Sequence, residues 1–193
     1  MIRMATTADI PAMLAIYGPY VLESTYTFEY TVPTQEEFTR RFLSITAQFP
    51  WLVWEEQGSV VGYAYGSLPF ERAAYAWCAE VSIYLAPQVQ GKGIGRALYT
   101  ALEAIMKGQG YQTLYAIITE ENTGSLAFHQ RLGYHTQAVF PSCGMKFRRW
   151  LGVVWMEKRL NFVDIPSHPP ISCSSFVEND EKFHNILAIL SLS

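Results

Sequence analysis

The sequence predicts one α/β domain over residues 1–160, and three observations in the middle of the chain lead to that class. Apolar and polar side chains alternate over residues 78–85 with a period of two, which indicates a strand. A glycine-rich turn follows, and apolar residues between 97 and 106 then lie on one face of a helix that ends near Gly110. The apolar segment 113–119 predicts another strand. Strands therefore alternate with helices, as they do in α/β proteins.

The elements on either side follow from local signals. Residues 2–5 have the composition of a short strand, and Thr6 or Thr7 can cap a helix with Asp9 and Pro11 in its first turn. Residues 34–37 have the pattern of a capping box, which predicts a helix from Gln35 to about Gln48. The other elements are predicted as a loop at 24–31, strands at 51–56 and 59–66 joined by a Gln57-Gly58 turn, a helix at 122–132, and strands at 134–140 and 153–160.

Beyond Leu160 the composition changes. Residues 161–193 hold three prolines, a serine cluster and one short apolar run at 186–190. This C-terminal tail, whose role the sequence does not reveal, is either flexible or a small helix packed on the body.

The composition excludes several classes of function. Charged residues make up 16% of the chain and the net charge is −3, so the basic face of a nucleic-acid-binding protein is not expected. No apolar run is long enough to span a membrane, and Asp9 and Pro11 interrupt the region where a signal peptide would be apolar. The three cysteines lie far apart and have no zinc-site spacing, so we expect neither disulfides nor a metal. A cytoplasmic location is the expectation.

The glycine-rich turn is a candidate phosphate site. Its residues are Gln90, Gly91, Lys92, Gly93, Ile94, Gly95 and Arg96. Three glycines leave backbone N–H groups accessible to an anion, and the following helix adds its positive N-terminus. The spacing fits neither the nucleotide P-loop, which needs Ser or Thr after the lysine, nor the dinucleotide fingerprint. An ordinary glycine-rich turn is the alternative.

A second motif strengthens the phosphate hypothesis. Residues 122–134, from Asn122 through Ser125 and His129 to Leu132-Gly133-Tyr134, open a helix after the next strand and close it with a glycine. Together the two motifs, in this order of strands and helices, resemble the GNAT superfamily of N-acetyltransferases over about residues 1–160. The resemblance implies a mixed, strongly twisted central sheet with helices on both faces. It also implies acetyl-CoA as co-substrate, held by the glycine-rich turn, by Asn122 and Ser125, and by the strand backbone at Val81, Ser82 and Ile83.

A closer resemblance concerns the acceptor. The segment from Arg72 through Tyr75, Trp77, Cys78 and Glu80 to Tyr84, together with His129 and the segments 144–147 and 150–151, is similar to the phosphinothricin acetyltransferase group. That group acetylates the amine of phosphinothricin, methionine sulfone or methionine sulfoximine, and its members are usually homodimers. Three residues depart from the group's pattern: Cys78 replaces a hydroxyl residue, Phe70 an arginine and Gly152 an aspartate.

The resemblance assigns roles to individual residues. A primary amine must lose a proton to attack, and Glu80 is the candidate base, although a solvated glutamate is the alternative. His129 could protonate the departing thiolate, or simply be a half-buried histidine. Arg72 could pair with a substrate carboxylate and Lys146 could be a second anion contact. Four aromatic residues could wall the pocket or belong to the core or a dimer interface instead: Phe28, Tyr30, Tyr75 and Trp77.

Three rival functions remain open. An enzyme of the same fold could acetylate a protein N-terminus or a lysine, although Arg72 and the aromatic loop favour a small substrate with a carboxylate. A degenerate domain could bind coenzyme A without catalysis, and the intact glycines, Asn122 and Glu80 argue against that. Nucleotide binding is weakened by the two failed fingerprints.

Overall fold

Within residues 1–161 and 164–179, the part of the chain that the computed structural model describes, seven strands form one sheet. Along the sheet the strands lie in the order β1-β2-β3-β4-β5-β7-β6. Their bounds are β1 Ile2–Met4, β2 Trp51–Glu56, β3 Ser59–Ser67, β4 Cys78–Leu85, β5 Thr113–Thr119, β6 His135–Lys146 and β7 Arg149–Arg159. The helices are α1 Ile10–Glu23, α2 Gln35–Thr46, α3 Ile94–Gln109, α4 Thr123–Arg131 and α5 Cys173–Asn179.

The sheet is mixed, as predicted. β4 and β5 run parallel, and every other neighbouring pair of these strands is antiparallel. The parallel pair is joined by the crossover through α3, which is the connection that parallel strands require.

Helices cover both faces of the sheet, which confirms the predicted architecture. Two neighbouring residues of β4 show this, because successive side chains of a strand point to opposite faces. On one face Ile83 approaches Gly95 of α3, so closely that a Cβ added to the glycine would lie 3.4 Å from the Ile83 side chain. On the other face the ring of Tyr84 packs against Tyr17 and Tyr20 of α1, at centroid distances of 4.8 and 5.3 Å.

The last hairpin is longer than the sequence predicted. The two strands continue to Lys146 and start again at Arg149, with only Phe147 and Arg148 between them. Both turn residues have positive φ, 49° and 61°. Tight hairpin turns of this kind usually carry Asn or Gly, so this one has no turn signal in the sequence.

The C-terminal segment packs on the body as far as it is described. The backbone N–H of Cys173 donates to Gln48 and that of Ile171 to Gln109, both at 3.0 Å. Phe176 of α5 is buried against Gly108 of α3. Of the two alternatives that the sequence left open, the packed helix applies to residues 173–179. The apolar run at 186–190 lies outside the described residues.

The described residues contain neither a membrane-spanning helix nor a cluster of metal ligands. No helix in them combines the length and apolarity needed to cross a bilayer. No group of three or more His, Cys, Asp or Glu side chains there lies close enough together to hold a metal ion.

Candidate active site

The centre of the sheet opens into a gap between its two parallel strands. β4 pairs with β5 only through Cys78, Ala79 and Glu80. Beyond Glu80 the strands separate, while β4 keeps its full ladder with β3. The gap is a cleft of about 460 Å³ whose walls are Tyr20, Tyr26, Val81, Ser82, Ile83, Tyr84, Tyr99, Ala116, Ile117, Ile118, Asn122, Ser125 and His129.

The separated edge of β4 offers backbone donors to this gap. Just after the strand, the N–H of Ala86 donates to Val61 on the β3 side. Backbone N–H groups alternate in direction along a strand, so those of Val81 and Ile83 point to the β5 side. Val81 closes the ladder at the Glu80–Tyr115 pair, and Ile83 lies beyond it and faces the gap. An extended molecule lying there can therefore hydrogen-bond to β4 as an additional strand would.

The glycine-rich turn forms the mouth of a second cleft of about 1250 Å³. Gly91 and Gly93 have φ of +77° and +84°, and a Cβ at either position would meet open space. Gly93 precedes α3 and makes no side-chain cap, so the first N–H groups of that 16-residue helix stay available to an anion. The two clefts share Tyr20, Tyr26, Ile83, Asn122 and Ser125, and so form one continuous channel.

Most of the predicted cofactor-binding residues line this channel: Val81, Ser82, Ile83, Gln90, Gly91, Gly93, Gly95, Arg96, Asn122 and Ser125. The other two differ. Lys92 is an exposed side chain that does not line either cleft. Ile94 is buried in the core, so only its backbone faces the turn. The amide of Gln90 donates to the Tyr20 hydroxyl at 3.1 Å and so positions the turn.

Asn122 both caps α4 and lines the channel. Its side-chain oxygen accepts the backbone N–H of Ser125 at 3.1 Å. The capping role that the sequence left open beside a ligand contact is therefore present.

Glu80 stands where the two strands separate. It is the last residue of β4 paired with β5, opposite Tyr115. Burial raises the pKa of its carboxyl from 4.5 to about 7. A carboxylate with that pKa accepts a proton near neutral pH far better than a solvated glutamate does. The side chain is thus both at the edge of the gap and chemically suited to be a base.

His129 is almost wholly buried in the wall of the gap, and both of its ring nitrogens have partners. Nδ1 lies 2.8 Å from the backbone oxygen of Ser125, which can only accept, so Nδ1 carries the proton. Nε2 then accepts from the Tyr99 hydroxyl at 2.9 Å. Burial lowers the pKa of His129 to about 4, so its imidazole is neutral at pH 7. In this arrangement His129 has no proton free for a thiolate.

Three of the predicted acceptor-site residues meet at the tip of the last hairpin. Phe28 covers Gly144 so closely that a Cβ there would overlap the ring. The Tyr30 hydroxyl donates to the Met145 carbonyl. Lys146 is buried and donates to the Thr27 carbonyl at 2.8 Å, and burial lowers its pKa. Lys146 thus holds the 24–31 loop in place, and its role as an anion contact stays a prediction.

The other three predicted acceptor-site residues separate. Arg72 and Tyr75 are exposed on the β3–β4 loop. Trp77 instead donates its indole N–H to the carbonyl of His168 in the C-terminal segment, at 3.3 Å. Trp77 lies in the turn just before β4, which begins at Cys78. Its predicted place in the wall of the acceptor pocket stays a prediction.

Sequence reasoning missed several residues that line the channel, among them Tyr20, Tyr26, Tyr99, Phe128 and Arg131. Phe128 and Arg131 lie inside the second motif, whose helical spacing could have assigned them. Tyr20 and Tyr26 come from the N-terminal part of the chain and carry no local signal.

Comparison with known proteins assigns the family. The family model for the acetyltransferase (GNAT) domain matches residues 2–155. The chain belongs to the GNAT acetyltransferase family. A phosphinothricin N-acetyltransferase of Alcaligenes faecalis is 36% identical to this acetyltransferase over 165 residues, 84% of each chain. A methionine sulfoximine/methionine sulfone acetyltransferase of Pseudomonas aeruginosa is 34% identical and covers 83% of this chain and 94% of its own length.

A solved structure agrees in fold. The phosphinothricin acetyltransferase of Sinorhizobium meliloti, crystallised with acetyl-CoA, superposes on this acetyltransferase with a TM-score of 0.81. Sequence identity is 35%, and the match covers 88% of this chain and 92% of that one. The resemblance that the two motifs indicated is confirmed.

Proposed function

We propose that this acetyltransferase transfers the acetyl group of acetyl-CoA to the amine of a small, amino-acid-like molecule. One observation carries the proposal: the channel that begins at the glycine-rich turn ends in the β4–β5 gap, beside Glu80. The turn suits a pyrophosphate, the gap an extended pantetheine chain, and Glu80 the deprotonation of an amine.

The channel fits acetyl-CoA on two independent grounds. The Cβ positions of Gly91 and Gly93 are open, so an anion can approach the backbone and the N-terminus of α3 closely. The N–H of Ile83 lies beyond the last β4–β5 pair, points into the gap and suits a strand-like ligand. When bound, acetyl-CoA supplies an activated thioester carbonyl.

The chain's own residues would then act in sequence. Glu80 accepts a proton from the ammonium group, directly or through one water, and leaves a nucleophilic amine. A backbone N–H of β4 that faces the gap, that of Ile83, donates to the carbonyl oxygen as negative charge develops on it. For His129 to protonate the thiolate, Nε2 would first have to gain a proton, which burial of the ring opposes. We therefore propose that Tyr99 and His129 hold the wall of the gap in place.

The acceptor class rests on the acceptor-side loops and on the relatives. Exposed Arg72 offers a planar guanidinium that suits a substrate carboxylate. The relatives named above act on phosphinothricin and on methionine sulfone or sulfoximine. An α-amino acid, whose amine and carboxylate are attached to the same carbon, agrees with Arg72 and with the substrates of the relatives.

We further propose that the enzyme is a homodimer in the cytoplasm. β6 is an edge strand of 12 residues, and the hairpin that it begins exposes large apolar side chains, Trp150 at 66% above all. A long edge strand beside exposed apolar side chains suits the interface with a second copy. The exposed free thiol of Cys143 suits a reducing compartment.

The decisive experiment is an acetyl-CoA assay that follows thiol release with a panel of amines. The panel holds phosphinothricin, methionine sulfone, the common amino acids, polyamines and N-terminal peptides. Turnover on amino-acid-like amines is the expected result. Turnover only on peptides would show that the acceptor is a peptide and not an amino-acid-like amine. Coenzyme A binding without turnover on any amine would show that the protein is a binding module and not an enzyme.

A further inference from the structure

A row of side chains crosses the sheet beside the proposed base. The strand registers place Ser67, Glu80, Tyr115 and Glu157 opposite one another on four successive strands. Directly paired residues of neighbouring strands project to the same face. Glu80 therefore shares its face with Tyr115 of β5 and with residues of β7 at even spacing from Glu157, which include Trp155.

The β3–β4 loop folds onto this same face. Its Phe70 packs against Trp155 in a nearly parallel arrangement, with ring centroids 5.7 Å apart and planes 26° apart. Phe70 also meets Tyr115 edge-on at 6.2 Å and Tyr75 at 4.6 Å. Tyr115 and Trp155 are 5.9 Å apart. These four residues form a continuous aromatic cluster, and its member Tyr115 is the strand partner of Glu80.

The cluster is accessible from solvent. Tyr75 is 42% exposed, while Phe70, Tyr115 and Trp155 are half-buried. Ile117, two residues along β5 from Tyr115, is 36% exposed and also lines the β4–β5 gap. The apolar surface thus reaches from the β3–β4 loop to the place where the acetyl group would lie.

The groups around the cluster define what it can hold. The Tyr115 hydroxyl lies near the Cys78 and Glu157 side chains, and burial raises its pKa to about 12. The Phe70 ring gives no hydrogen bond to the oxygens of a phosphinate or a sulfone, and its faces and edges suit another ring. The indole of Trp155 adds ring surface and one N–H donor. Arg72 lies in the same loop and is exposed, so it can take the α-carboxylate.

We propose that this cluster is the side-chain pocket of the acceptor site, and that the enzyme prefers α-amino acids with an aromatic side chain. This inference rests on the proposed function and narrows its acceptor class. Phe70 is the specificity-determining residue, because it contacts all three of the other rings. Glu80 takes the ammonium end of the substrate, Arg72 the carboxylate end and the cluster the side chain.

The test compares kcat/KM for L-phenylalanine and L-methionine sulfone at saturating acetyl-CoA. We expect the wild-type kcat/KM for phenylalanine to be about tenfold or more above that for the sulfone, because a few aromatic contacts contribute free energy of that size. Phe70→Ala should lower kcat/KM for phenylalanine about tenfold. It should leave kcat/KM for methionine sulfone and the KM of acetyl-CoA within about twofold of the wild-type values. Phe70→Leu keeps an apolar side chain but removes the ring, so it should show the same selective loss in a folded protein. Leu43→Ala, a change at an exposed apolar residue of α2, is the matched control and should leave kcat/KM for both substrates unchanged.

The outcomes separate this inference from the proposed function. Preference for the sulfone, or an equal loss on both substrates in the two Phe70 variants, would overturn the aromatic pocket and leave the acetyltransferase function standing. If Phe70→Ala turns a dimer into a monomer in light scattering, a second copy covers the cluster and the pocket is also wrong. Thiol release with none of the amines would remove the proposed function itself.

Discussion

Glu80→Gln should make this enzyme slower and more stable at the same time. Burial lifts the pKa of the carboxyl from 4.5 to about 7, so the folded protein holds a proton that the unfolded chain releases. Stability therefore falls as pH rises from about 4.5 to 7, because the folded state binds more protons over that range. A difference of about 2.5 between the two pKa values, at 1.36 kcal/mol each, gives an upper value of about 3.4 kcal/mol at pH 8. Partial access of water to Glu80 reduces this to about 2 kcal/mol.

Glutamine keeps the shape of the side chain and removes the charge. At pH 8 we expect Glu80→Gln to raise the melting temperature by about 4–8 °C, given about 2–4 °C per kcal/mol for a chain of this size. At pH 4.5 the two proteins should melt together. The same variant should lose about 10²-fold or more in kcat/KM, and the wild-type rise in kcat/KM through pH 7 should disappear.

Thermal melts from pH 4.5 to 8.5 test the prediction on stability, and pH–rate profiles with the best amine substrate test the prediction on catalysis. Glu56→Gln, at the exposed end of β2, is the control and should change neither the melting temperature nor the pH–rate profile. If Glu80→Gln keeps the wild-type pH–rate profile and the wild-type melting curve, then Glu80 is a solvated residue and is not the base.

Three further predictions concern the rest of the chain. Gly93→Ala should raise the KM of acetyl-CoA severalfold, whereas Gly58→Ala, at a comparable positive φ in a distant turn, should cost similar stability, about 1 kcal/mol, and leave that KM unchanged. Burial lowers the pKa of His129 to about 4, so its contribution to stability is lost as pH drops from 6.5 to 4, opposite in sign to that of Glu80. The stability of wild type relative to His129→Gln should therefore fall over that range in thermal melts. Gly108→Ala places a methyl group where Phe176 packs, so limited proteolysis should release the C-terminal segment faster than in wild type while acetyl transfer persists.

The donor side of the site could be predicted from sequence because its signals are local. The glycine-rich turn and the Asn122 motif each place several ligand-facing groups within a few consecutive residues, at the start of a helix. Tyr20 and Tyr26 reach the same channel from the N-terminal part of the chain, and only tertiary packing brings them there. No local pattern can indicate a residue of that kind.

The acceptor side has weaker local signals, because its predicted residues come from separate loops. The motif placed Trp77 in the pocket, and in the structure its indole N–H donates to the carbonyl of His168 in the C-terminal segment. The resemblance of segment 144–147 suggested Lys146 as a second anion contact. In the structure it is buried and its contact is a backbone carbonyl, because the hairpin tip needs a donor for the 24–31 loop.

The fork between β4 and β5 explains how one strand can serve both substrates. A strand has two kinds of group in fixed directions: side chains perpendicular to the sheet and amides within its plane. At the fork the Glu80 side chain uses the first direction, while the Ile83 amide uses the second and faces the gap. The proposed base and the proposed donor to the thioester carbonyl are thus separated by geometry rather than by sequence distance. A change that extended the β4–β5 ladder past Glu80 would close the gap, so it would abolish acetyl transfer without touching the base.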